Sequence, residues 1–126
     1  MFEPKHIIGF LTVFVSLSSG LEAEVVKKDA PQLLVAGIEV YKAGQYQKAI
    51  EEFSKAAMQS PDDADIPFYI GLSYQRLNQP DKAMEAFYQT IAIDPAFIEA
   101  HYQLGLFLIQ QKNFGNAILH LEIVHE

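Results

Sequence analysis

Few side chains in this 126-residue chain could do chemistry, and the first group to weigh lies near its end. The run HLEIVHE brings His120, Glu122 and His125 into one short segment. A helical zinc pair needs two histidines four residues apart, so that both imidazoles reach the same ion from one face. His120 and His125 are five apart, and on a helix they diverge. His101 occupies a packing position in a largely apolar run, where a histidine belongs between helices rather than at work as a base. A second group, SPDDADIP, gathers Asp62, Asp63 and Asp65. It lacks the glycine and the distal glutamate of a calcium loop. Aspartates ahead of a helix have a simpler use, capping free N–H groups and opposing the dipole. The sequence holds neither a glycine-rich phosphate loop nor a nucleophile motif. Without cysteine it has no thiolate ligand and no disulfide. The expectation is a protein that is not an enzyme, with no catalytic residue, metal site, cofactor or small-molecule substrate.

Charge narrows the partners. The formal net charge is −7, and no basic cluster exceeds Lys27-Lys28. Nucleic acid and anionic lipid surfaces are therefore not expected as partners. The N-terminus differs in character from the rest. MFEPKHIIGFLTVFVSLSSGLEAE starts with one lysine, continues through an apolar run from Ile7 to Leu17, and ends in small residues. That is the order of a secretory signal. Residues 1–20 are read as this signal, with the cut after Gly20 or after Ala23, and 21–29 as a linker. The expected location is exported, periplasmic or extracellular. Thr12 and Ser16 interrupt the run, which falls short of the about 20 apolar residues of a spanning helix. A retained N-terminal membrane anchor is the alternative.

The elements that would position any site come from a repeat. Gly37, Gly71 and Gly105 are separated by 71 − 37 = 34 and 105 − 71 = 34 residues. Ala49, Ala83 and Ala117 keep the same step, as do Phe53, Phe87 and Leu121, and Pro61 and Pro95. Apolar residues at three- and four-residue steps predict helices at 31–43, 47–59, 66–77, 80–93, 98–111 and 114–125. The glycines and alanines let paired helices approach closely, and Phe53, Phe87 and Leu121 fill the space beside them. Gly44 and Asn78 read as helix-ending residues that tolerate the left-handed conformation. Pro31, Pro67 and Pro80 fall in first turns, where a missing N–H costs little. Glu51 and Lys55 pair along a solvated face.

A helix-turn-helix unit repeating at 34 residues is the tetratricopeptide pattern, and the chain resembles that family from Ala30 to Glu126. The resemblance implies an all-α, right-handed solenoid of antiparallel helix pairs, with units at 30–63 and 64–97 and an incomplete third at 98–126. Departures from the family pattern are Leu33, Pro67 and His101 at its early aromatic position, and Pro80 at a later one. The third unit stops before an Asp-Pro exit or a capping helix. Terminal repeats need a polar outer face, so the chain is read as part of a longer array, or as one whose last helix docks on a partner or a second copy.

Family resemblance also implies that ligands lie in a concave groove lined by the first helix of each unit. The matching stripe is Pro31, Leu34, Val35, Ile38, Tyr41 and Lys42 in the first unit. In the second it is Asp65, Phe68, Tyr69, Leu72, Gln75 and Arg76, and in the third Glu99, Tyr102, Gln103, Leu106, Ile109 and Gln110. The candidate protein-binding set is Leu34, Val35, Ile38 and Tyr41, with Phe68, Tyr69, Leu72 and Arg76, and with Tyr102, Gln103, Leu106 and Ile109. The expected partner is a protein, offering an extended peptide or an amphipathic helix to an apolar groove. The expected role is an adapter or scaffold in protein interactions. The front portion of a longer enzyme, or a self-assembling structural subunit, is the alternative. The family's clamp for acidic chaperone tails uses Lys, Asn and Arg where this chain has Leu34, Ile38, Tyr69, Glu99 and Gln103. No position matches, so that specificity is not expected.

Overall fold

The computed structural model describes residues 29–125, and the expected N-terminal signal and linker lie outside them but for Asp29. The described residues form six helices: α1 Ala30–Lys42, α2 Tyr46–Gln59, α3 Asp65–Arg76, α4 Pro80–Ile93, α5 Ile98–Gln110 and α6 Phe114–His125. Each lies within one residue of its predicted span. Helix α1 opens with a capping box, in which Asp29 and Gln32 each accept from the other's backbone N–H. Pro31 and Pro80 stand in the first turns of α1 and α4.

Every unit turns between its helices in the same way. Gly44, Asn78 and Lys112, again 34 residues apart, all have positive φ, at 84°, 61° and 62°. Their N–H groups reach back to Tyr41, Gln75 and Ile109, and the next residues' N–H groups to Val40, Tyr74 and Leu108. This is a Schellman closure, which satisfies carbonyls that the helix end leaves free. Lysine at the third position was not foreseen, because the left-handed conformation favours Gly or Asn.

Packing follows chain order. The pairs α1–α2, α3–α4 and α5–α6 are joined by α2–α3 and α4–α5, and α1 also touches α3. The glycine columns sit at the tightest points. A Cβ built on Gly37 or Gly71 would stand 2.5 Å from the ring of Phe53 or Phe87, and one on Gly105 2.5 Å from Leu121. Two apolar clusters result. Leu33, Ala49, Phe53, Ala56 and Ile66 knit α1, α2 and α3. Ala83, Phe87, Ala100, Leu104 and Phe107 knit α4 and α5. The molecule is an all-α solenoid of stacked helix pairs, and its first helices line one side.

A candidate protein-binding groove

On that side, a concavity of about 590 Å³ opens between the three first helices. Leu34 and Ile38 come from α1, Phe68 and Tyr69 from α3, and Ile98 from the first turn of α5. Phe97 enters from the loop before α5, its ring 4.9 Å from that of Phe68. Four of the twelve candidate residues therefore meet in one cavity. The rings that floor it are held from behind. Tyr69 stacks on Phe53 at 5.4 Å, and Phe68 leans on Phe87 at 5.6 Å.

The other eight candidates divide. Tyr41 is half-buried, edge-on to Tyr46 and Tyr69. Burial pushes its hydroxyl above the ordinary tyrosine pKa, against the opposing pull of Arg76. Arg76 lies over the Tyr46 ring at 5.2 Å, a cation–π contact. Leu72 packs on the second cluster. Val35 is exposed and faces a separate hollow with Pro31, Gln32 and Glu39. Gln103 accepts a 2.7 Å bond from Gln75, and Leu106 lies beside it in a small pocket. Tyr102, Leu106 and Ile109 are exposed along α5.

The lip of the large concavity is acidic. Asp65, Asp94 and Glu99 line it, all three exposed. Asp63 does not cap α3 as its N-cap residue, which is Ala64. Its carboxylate accepts from the Asp65 N–H at 3.0 Å, and Asp94 accepts likewise from Ala96. The protein around the Asp65 carboxyl raises its pKa, and the charges of Asp63, Glu99 and Asp94 add to the effect. Nor does Lys55 take the expected partner. It lies 3.5 Å from Glu52, one turn back, instead of Glu51.

The histidines form a pair, but not the one weighed from sequence. His101 is buried, and its Nε2 donates to the Pro95 carbonyl at 2.7 Å. A carbonyl only accepts, so in neutral His101 the Nδ1 is bare and receives the Nδ1–H of His120 at 2.9 Å. His101 thus joins α5 to α6. Among the described residues no three His, Asp or Glu side chains converge as a metal site.

Helix pairs at a 34-residue step, glycines seated on rings of the partner helix, and a groove along the first helices define a tetratricopeptide-repeat protein. Residues 40–124 match the family described as anaphase-promoting complex, cyclosome, subunit 3, and the chain belongs to this tetratricopeptide-type family. Among curated proteins it is 29% identical over 93 residues to the peroxisomal targeting signal receptor of Candida albicans, covering 74% of this chain and 16% of that protein. It is 26% identical over 114 residues to the tetratricopeptide repeat and J domain-containing co-chaperone DNJ1 of Cryptococcus neoformans, covering 86% of this chain and 22% of that one. The chain thus spans less than a quarter of either relative. Among solved structures it is similar to MamA, with TM-score 0.72 and 27% identity, covering 76% of this chain and 56% of that one. The second tetratricopeptide domain of Spaghetti (RPAP3), bound to the HSP90 peptide SRMEEVD, gives TM-score 0.71 at 22% identity, covering 82% and 95%. That last likeness is one of fold.

Proposed function

We propose that this protein is a non-catalytic interaction adapter that holds a peptide or helix of a partner protein in the groove between α1, α3 and α5. The observation that carries the reading is the concavity itself, floored by Leu34, Ile38, Phe68, Tyr69, Phe97 and Ile98. An apolar hollow whose rings are already braced by the core loses little side-chain freedom when filled, which favours binding. Two proteins of similar fold were solved with peptides, the Spaghetti domain and the Yersinia enterocolitica chaperone SycD. We further propose export of the chain, on the strength of the Ile7–Leu17 run and the small residues after it.

Ile98 gives the cleanest probe, because it lines the groove yet is 48% exposed and belongs to neither core cluster. Ile98→Ala should leave helicity intact and weaken peptide binding about tenfold, the worth of one partly buried aliphatic side chain. Met58, 83% exposed on α2, supplies the control, and Met58→Ala should change nothing. Equal affinity in the two variants would place the binding surface elsewhere.

A second reading has its own observation. Helix α6 buries only Ala117 fully and exposes Phe114, Ile118, Leu119 and Ile123, an apolar face suited to self-association. Sedimentation across a concentration series tests this self-association, and the groove reading stands where peptide binding persists in the state found.

A further inference from the structure

The charge on the groove's lip says what kind of segment it would hold. Carboxylates reach it from three separate stretches: Asp65 in the first turn of α3, Asp94 after α4 and Glu99 in the first turn of α5. Among the described residues, no lysine or arginine lines the concavity. Asp94 accepts from the Ala96 N–H at 3.0 Å, whereas the Asp65 and Glu99 carboxylates cap neither α3 nor α5. Among the described residues, neither Asp65 nor Glu99 is in an ion pair. The Asp65 carboxyl instead sits among Asp63, Glu99 and Asp94, and its pKa is raised. A cation placed there relieves the repulsion among these carboxylates. Acids along an apolar wall also concentrate the field at the mouth of the cleft.

We propose that the groove's occupant is a cationic, amphipathic segment of a partner protein, with apolar side chains on the ring floor and Lys or Arg at Asp65, Asp94 and Glu99. The inference rests on the groove reading above and adds the sign of the partner's charge. That sign is opposite to the acidic end of the peptide SRMEEVD carried by the Spaghetti domain. The reversal follows from residues on this chain, chiefly Glu99 and Asp65. Three rim pairs at ordinary surface strength together favour a cationic segment over a neutral one by about tenfold.

An array of random-sequence dodecapeptides, probed with the full chain at low and high salt, tests it. Lys and Arg should be enriched among binders alongside aliphatic or aromatic residues, and affinity should fall as salt rises. The double variant Asp65→Asn, Glu99→Gln should keep its helicity and lose most of the enrichment, with affinity for cationic binders down about fivefold. Binders rich in Asp or Glu, or binders unaffected by the double variant but weakened by Ile98→Ala, would overturn the charge assignment and leave the groove standing. Binders insensitive to Ile98→Ala, or no binders at all, would overturn both.

Discussion

At Gly71 and Gly105 the same added methyl group meets two different neighbours. On Gly71 it would stand 2.5 Å from Cε1 and 2.8 Å from Cδ1 of Phe87, a ring with no exposed surface and no room to turn. On Gly105 it would stand 2.5 Å from Cδ2 and 2.6 Å from Cγ of Leu121, a half-buried side chain on the last helix that can swing aside. Alanine gains about 1 kcal/mol of helix propensity at either site, while overpacking a fixed neighbour costs about 1–3 kcal/mol. Gly71→Ala should therefore destabilise the protein by up to about 2 kcal/mol, and Gly105→Ala should be close to neutral. Urea unfolding of both variants checks this, and equal losses would mean that Leu121 is held as firmly as Phe87. These columns were readable from sequence because close packing leaves few residue choices. The groove's own residues were less so. Phe97 stands where the preceding unit has Asp63, and Ile98 where it has Ala64, so no 34-residue column marks them. Counting along the first helices also passes over a ring that enters from a loop.

Helices α5 and α6 are pinned by a contact that depends on protonation. His120 has its pKa lowered by partial burial and then by His101. It also faces the edge of Tyr88 on α4 at 6.0 Å. A histidine with a lowered folded pKa binds its proton more readily when the chain is unfolded. Its contribution is thus fully present above the ordinary value of 6.5 and is lost as the pH falls through the lowered one. Asp65 has the opposite sign: its raised pKa costs stability once the pH has risen through it, in a window that opens at 3.8. Between pH 7 and 5.5 the melting temperature should fall in the wild type and fall less in His120→Gln, which keeps a donor for His101 Nδ1. Parallel curves would show that the titration of His120 does not carry the pH dependence. Sequence placed His101 between helices correctly, yet it could not supply His120 as the partner, since the two lie 19 residues apart with no shared column.

A solenoid has no contact that closes it, so its stability is a sum over neighbours. Among the described residues, helices α3 and α4 have packed neighbours on both sides, whereas α6 has substantial contact with α5 alone. Hydrogen exchange should accordingly be slowest in α3 and α4 and fastest in α6, which opens without disturbing the rest. That gradient also bears on what covers the face of Ile118, Leu119 and Ile123. If α6 is a free end, its amides exchange at the same rate whatever the protein concentration. If a second copy covers it, protection in α6 rises with concentration while α3 and α4 stay unchanged. Protection that rises at the groove residues Ile38 and Tyr69 instead would mean that copies of the chain occupy the groove. A cationic partner would then have to displace them, and its measured affinity would weaken as the protein is concentrated.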